Sequence, residues 1–414
     1  MNILVLCHRV PFPPKRGGKI RPFNMIRHLA RNHQVTVATL ARNAREREEG
    51  QGLLDYCHEV HIGTIPDLVG WGRFALHAAT AFPSTFGYFY SPWLRRIVTS
   101  LLERRSFDAI LVHSSSMGPY VAHHGGCRKV MDFGDADSEK WFGYARRSLF
   151  PLSLGFRWEG AKVRRYERWL ASRFDGISVN TTREREILAR YVEKPIEVIT
   201  NGVDLEYFRP RGDGGASYQA QRLLFTGNMS YLPNVDAVKH MVADILPRIR
   251  AEAHDVEFYI VGMDPAPAVR RLADGRAVVV TGSVEDVRPY LEEAAVAVAP
   301  LRLARGLQNK VLEAMAMRVP VVASPAASDG IHALPDTDLM VADTPEAFAR
   351  AVLGLLRDPG RRERYAAAAR ACVERGHNWD RLLNRLEDLV IGGEAVPPGG
   401  GPRTREHRPV ALAS

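Results

Sequence analysis

Short apolar runs alternate with stretches of helical spacing along most of this 414-residue chain, in two series separated by a polar, glycine-rich break. In the first series the runs fall at 3–7, 34–40, 60–65, 109–113, 129–132, 176–180 and 196–200, with helical stretches such as 20–30 and 183–191 between most of them. Strands joined through helices pair in parallel, and a parallel sheet is covered by helices on both faces. Residues 209–219, RPRGDGGASYQ, predict a linker. The second series places strands at 222–226, 256–262, 277–281, 296–300, 319–324 and 339–342. Helices are predicted near 235–249, 287–294, 345–356, 361–375 and 379–390. A chain of this length outgrows one core. The reading is therefore an α/β protein with two tandem domains, 1–208 and 220–376, facing each other across a cleft where ligands bind. A helix at 377–391 is expected to pack back towards the first domain. Residues 392–414 are Gly/Pro-rich without periodicity and predict a disordered tail.

Composition narrows the class. Hydrophobic residues make up 46% and charged residues 25%, as in soluble globular enzymes. The net charge of +9 points to an anionic partner. Neither zinc-finger spacing nor an RNP-type aromatic motif occurs, so nucleic acid is not the expected partner. Cys7, Cys57, Cys127 and Cys372 are scattered, which supports neither a disulfide framework nor a zinc site. The apolar start is too short for a signal peptide or a membrane span, and the expected location is the cytoplasm.

The segment 298–324 carries the chemistry. An apolar run leads into a loop with Arg302 and Arg305, a helix opens near Gln308, and a second apolar run follows. Ligands of parallel sheets sit beyond the carboxyl ends of the strands, and a helix N-terminus suits phosphate. Arg302, Arg305 and Lys310 add positive charge there, with Gln308 and Asn309 at the helix mouth. Lys310 and Glu313, three apart, share a helical face, a cation for phosphate beside a carboxylate for hydroxyls. Taken alone, such a pair is also an ordinary surface ion pair.

Several motifs in order resemble the family-4 retaining glycosyltransferases of the two-domain GT-B fold. They are Gly17-Gly18 after the first strand, His113 ending FDAILVH, Asn201-Gly202-Val203-Asp204 late in the first domain, the TGNM turn at 226–229, and NKVLEAMA. MDFGDADSEKW, TGNMSYLPN and LARGLQNKVLEAMAM look closest to sugar transferases of exosortase/PEP-CTERM exopolysaccharide systems. The resemblance implies transfer from a nucleoside-diphosphate sugar to a lipid-linked saccharide, with no cofactor. It places Gly17, Gly18, Gly227, Asn228, Gly282, Ser283, Val284, Arg302, Arg305, Gln308, Asn309, Lys310 and Glu313 around the donor, and His113 at the reacting end with Glu313; of the carboxylate cluster Asp132, Asp135 and Asp137, one member, taken as Asp135, is expected to act on the acceptor side. A nucleotide-sugar 2-epimerase shares the architecture, and a non-catalytic nucleotide-binding subunit is a further alternative.

The family pattern is E-x7-E. Glu313 matches its second glutamate, whereas the first falls on Arg305, a charge reversal. Asp135-Ala136-Asp137 is formally a D-x-D, which elsewhere holds a divalent metal; no metal is expected here, because this fold answers the diphosphate with basic groups and helix dipoles. An acidic turn without chemistry is the other reading of those aspartates, and a lone histidine such as His113 is often structural. Residues 140–173 carry nine Lys/Arg against two Glu, interleaved with aromatics. That combination suits an anionic membrane surface on the inner face of the plasma membrane, or an ordinary helical lid.

Overall fold

The computed structural model describes residues 1–14, 17–211, 221–303 and 306–393. The strands of the first sheet are β1 (Asn2–Cys7), β2 (Gln34–Ala41), β3 (Glu59–Thr64), β4 (Ala109–His113), β5 (Arg128–Gly134), β6 (Gly176–Val179) and β7 (Glu197–Val198). They pair in parallel in the order β3-β2-β1-β4-β5-β6-β7. The second sheet is built from β8 (Arg222–Thr226), β9 (Glu257–Val261), β10 (Val278–Gly282), β11 (Val296–Ala299), β12 (Val321–Ala323) and β13 (Met340–Val341). Its order is β10-β9-β8-β11-β12-β13, again all parallel. Both orders reverse direction once, between β1 and β4 and between β8 and β11. A crevice opens at such a switch point beyond the carboxyl strand ends.

Each sheet is buried on both faces, which is why its strands are continuous apolar runs rather than alternating ones. Leu4, Leu6 and Ile110 point to one core of the first sheet, while Ile3, Val5 and Leu111 point to the other. The helix Trp379–Ile391 lies on that second face. Its buried residues Trp379, Leu382, Leu383, Leu386 and Val390 follow the i, i+3, i+4, i+7 spacing of one helical stripe. Burying each aliphatic member is worth about 1.5–3 kcal/mol, enough to hold this helix against the first sheet. Asn378 caps the helix by accepting from the backbone N–H of Asp380 and Arg381.

Among the described residues the chain therefore returns from the second half to the first, and the segment around Asn201 is clipped to the segment around His377. Val203 N–H donates to His377 O at 2.8 Å, and the His377 ring meets Asn201 O at 2.9 Å through Nδ1. The His332 backbone N–H donates to His377 Nε2 at 3.3 Å. One ring nitrogen donates and the other accepts, so the imidazole is neutral, in keeping with the downward push of burial on its pKa. Gly202 is required here: a Cβ would lie 2.8 Å from His377 O and Trp379 N.

One predicted helix is modified. The stretch expected at 235–249 forms Leu232–His240, a π-helical turn over Met241–Ile245, then Leu246–Glu252. Pro247 lacks the N–H that a continuous α-helix needs, and the widened turn precedes it. The predicted linker lies mostly, and the predicted tail almost wholly, outside the described residues.

Candidate active site

In the C-terminal half, β8 ends at Thr226 and the chain turns at Gly227, whose φ is +153°. A Cβ there would come within 2.8 Å of the Asn234 amide and 3.0 Å of Lys310 Nζ. Gly262, after β9, is even more confined: a Cβ would sit 1.7 Å from Gly227 O. Only glycine permits the two strand ends to approach so closely. The helix Asn309–Ala316 buries Val311, Leu312 and Met315, leaving Asn309, Lys310 and Glu313 half-buried at the cleft. Lys310 donates to Asn234 Oδ1 at 2.6 Å and lies 3.9 Å above the Phe225 ring. Burial pulls the Lys310 ammonium down to about 7 and pushes the Glu313 carboxyl up to about 7. Among the described residues nothing hydrogen-bonds the Glu313 carboxylate.

Gly282 closes β10 rather than following it, with φ +72°, and Ser283 is exposed beside it. Thr281, Gly282 and Ser283 line a shallow groove of 490 Å³ with Asp264, Pro265 and Arg270. Val284 packs against the edge of the core below. Asn228 and Arg302 are used differently from the expectation. The Asn228 side chain folds into its own turn, accepting from Ser230 N and Oγ at 2.8 and 2.6 Å. Arg302 grips Asp236 with two nitrogens, at 3.0 and 2.5 Å, so its charge is already answered. Gln308 Nε2 donates to Gly306 O at 3.1 Å, bracing the loop that precedes the helix. Arg305 lies outside the described residues.

In the N-terminal half, His113 at the end of β4 stands beside Asp132 in β5, with Nδ1 2.7 Å from Asp132 Oδ2. Asp132 is fully buried and also accepts from Ser178 Oγ at 2.8 Å and from Arg21 through Nε at 3.0 Å and Nη2 at 2.7 Å. Burial alone would raise this carboxyl, but the Arg21 charge and the His113 hydrogen bond outweigh it and hold Asp132 well below the usual carboxylate range. Asp135 is exposed and accepts from Asn180 at 2.7 Å, while Asp137 accepts from Ser115 Oγ at 2.5 Å. The two aspartates of the D-x-D are thus engaged separately.

The halves meet around these groups. A Cβ on Gly306 would lie 3.2 Å from Asp135 Oδ1, so the loop before the Lys310 helix passes close over Asp135. Asn201 Nδ2 donates to Asn309 Oδ1 at 3.4 Å. Gly17, which opens the helix Gly17–Leu29, approaches Asn309, whereas Gly18 faces open space. The start of the Asn309–Ala316 helix and the loop before it therefore lie against Gly17, Asp135 and Asn201, with His113 on the strand next to Asp132 and with Lys310 and Glu313 on the same helix as Asn309. Sequence reasoning missed Arg21, Asn234 and Gly262, and saw Asp132 only as a member of a carboxylate cluster with Asp135 and Asp137 from which one acceptor-side group was expected. One signal was readable: Arg21, Met25 and Leu29 lie four apart, so Arg21 sits on a buried stripe where a charge needs a partner.

Comparison with known proteins fits this geometry. A family described as "Glycosyltransferase Family 4" matches residues 16–207, and one described as "Glycosyl transferases group 1" matches residues 220–358. The chain is a two-domain glycosyltransferase. The transferase is 26% identical over 240 residues to a lipopolysaccharide core biosynthesis mannosyltransferase of Rhizobium leguminosarum bv. viciae, covering 54% of this chain and 67% of that protein. It is 29% identical over 211 residues to a GDP-mannose-dependent monoacylated alpha-(1-6)-phosphatidylinositol monomannoside mannosyltransferase of Corynebacterium glutamicum. That match spans 47% of this chain and about half, 55%, of the relative. Among solved structures, Anabaena HepE in complex with UDP and glucose superposes with a TM-score of 0.65 at 14% identity, covering 95% of the transferase and 100% of HepE. The transferase has the GT-B fold, two parallel α/β domains across a cleft.

Proposed function

We propose that this glycosyltransferase moves a sugar, with retention of configuration, from a nucleoside-diphosphate donor to a lipid-linked saccharide in exopolysaccharide assembly. The observation that carries the reading is the half-buried pair at the mouth of the Asn309–Ala316 helix. Among the described residues the Lys310 ammonium hydrogen-bonds only a neutral amide, lies over a ring and feels the Glu313 charge, and Glu313 has no hydrogen-bond donor. A diphosphate beside Lys310 and a ribose whose hydroxyls donate to Glu313 complete both. As the glycosidic bond breaks, charge develops on the leaving diphosphate, where Lys310 and the helix N–H groups are already aimed. The groove beside Gly282 and Ser283 offers room for the base. His113 and Asp135, across the cleft, shape the reacting end near Gly17. No metal is invoked; transfer undiminished by chelator is the expected result.

A lipid-linked acceptor is supported by the names of the two mannosyltransferase relatives, both concerned with lipid-anchored glycans. The surface adds to this. Leu149 and Phe150, between the helices Asp137–Arg147 and Leu152–Arg173, are 88% and 78% exposed, with Leu152 beside them and Arg146, Arg147 and Arg157 on the flanks. Ring contacts from Trp141 to Phe74 and from Phe74 to Trp71 join this tip to Leu68 and Leu76, also exposed. Apolar tips with basic flanks suit peripheral attachment to an anionic bilayer. Among the described residues no helix is long and apolar enough to cross a membrane.

The test is a panel of nucleotide-sugars incubated with the protein and membrane extract, followed by analysis of lipid products for wild type and Glu313→Ala. Transfer by wild type and its loss in Glu313→Ala are expected. Equal transfer by the variant would remove the donor assignment, and donor turnover without any acceptor would point to an epimerase.

A further inference from the structure

The buried cluster behind His113 is not part of the cleft surface, yet it touches His113, the hinge and the donor helix at once. Asp132 is ionised, so it can only accept, and the hydrogen on the 2.7 Å contact must belong to His113 Nδ1. Nε2 is thereby the nitrogen left to face the cleft. Arg21 clamps the same carboxylate through Nε and Nη2 and uses its remaining nitrogen, Nη1, on the hinge, donating to Ile199 O at 2.6 Å and Asn201 Oδ1 at 3.2 Å. Asn201 in turn donates to Asn309, the first residue of the helix that carries Lys310 and Glu313. Side chains from β4, β5, the first helix, the hinge and the donor helix thus form one unbroken chain of hydrogen bonds.

We propose that Asp132 and Arg21 are positioning residues for the transfer reaction. Asp132 fixes the tautomer and ring plane of His113, and Arg21 ties that setting, through Asn201, to the position of the donor helix. The inference rests on the placement of His113 at the reacting end. A plain buried ion pair would need neither the histidine nor the asparagine: Arg21 and Asp132 already satisfy each other with two contacts. The extra partners are what a positioning device requires, since a functional imidazole is oriented by the hydrogen bond on its other nitrogen.

The experiment has two arms. In ¹⁵N-histidine NMR of the full chain, with the His113 signal assigned by its loss in His113→Gln, Nδ1 is expected to carry a proton across the neutral range. An unprotonated Nδ1 would overturn the proposal whether or not Asp132→Asn folds. In the kinetic arm, Asp132→Asn, which keeps the shape but offers an amide, is expected to lower kcat about 10- to 100-fold, the range for removing a partner that orients a functional histidine. Donor KM should stay near wild type, and the NMR signature of His113 should change with kcat. A folded Asp132→Asn protein with wild-type kcat overturns the positioning role. If His113→Gln itself transfers at the wild-type rate, it is the placement of His113 that has failed instead.

Discussion

Among the described residues two charged clusters flank the cleft, one buried behind His113 and one on the Asn309–Ala316 helix, and they are satisfied to different degrees. On the N-terminal side the Asp132 carboxylate accepts four hydrogen bonds, two from Arg21 and one each from His113 and Ser178. On the C-terminal side Lys310 has one neutral oxygen and the face of Phe225, and Glu313 has no donor among the described residues. Burial acts on both clusters, but the outcome differs. Asp132 is driven below the ordinary carboxylate range, because Arg21 and His113 more than offset its desolvation, whereas Lys310 and Glu313 are each moved towards neutrality. A closed cluster holds a shape; an open one is completed by a ligand.

The largest effect that would break this contrast is on stability. Arg21→Ala leaves the Asp132 carboxylate buried without its cation, and is expected to cost about 3–5 kcal/mol in urea unfolding. A cost below about 1 kcal/mol, the level of an exposed pair, would erase the distinction. Next comes Lys310→Ala, expected to lower kcat about 10²–10³-fold, as for removal of one preorganised group at a developing charge, with little loss of stability. Rates measured at saturating donor check it.

The open cluster also makes a pH prediction. Glu313 rises from 4.5 to about 7 on folding, so between those values the folded chain holds the extra proton and this group's contribution to stability falls as pH rises. Lys310 drops from 10.5 to about 7, so between those values the unfolded chain holds the extra proton and stability recovers as pH rises. In the ligand-free protein the pair is therefore least favourable near pH 7. In the proposed donor site a nucleoside diphosphate needs Lys310 charged and Glu313 ionised, so its affinity should peak near pH 7 and fall on both sides. Calorimetric titrations across pH 5.5–8.5 read this out (about 1.5 units either side of the midpoint); a flat profile would sink the coupling. The smallest effect is at Arg302, whose exposed pairing with Asp236 predicts a cost of no more than about 1 kcal/mol for Arg302→Ala. Donor KM should not change, and a raised KM would show that this arginine leaves Asp236 for the diphosphate.

Much of the fold was legible in the chain. Runs such as Ile3–Leu6 and Val296–Ala299 are short and wholly apolar, and helical stretches separate them, which permits little besides parallel sheets covered on both faces. The candidate site was legible where a residue's placement follows from its position on one element. Lys310 and Glu313 share a face by spacing alone, and His113 ends a strand. It was illegible where the role depends on a distant partner. Arg302 looked like a free cation because nothing local announces Asp236, 66 residues away. Asn228 looked available because the competing donors on Ser230 appear only once the turn closes.

Local periodicity and the length of each crossover were enough to determine two tandem α/β domains and the ends of their strands, since both are properties of contiguous residues. Which charges are answered and which stand open was decided only in three dimensions. Arg21 meets Asp132 across 111 residues and Asn201 meets Asn309 across 108. Those meetings depend on strand order, on the clip between the segments around Asn201 and His377 and on glycines that let backbones touch. The free energy of a buried charge is set by what surrounds it in space, and spacing along the chain does not carry that information.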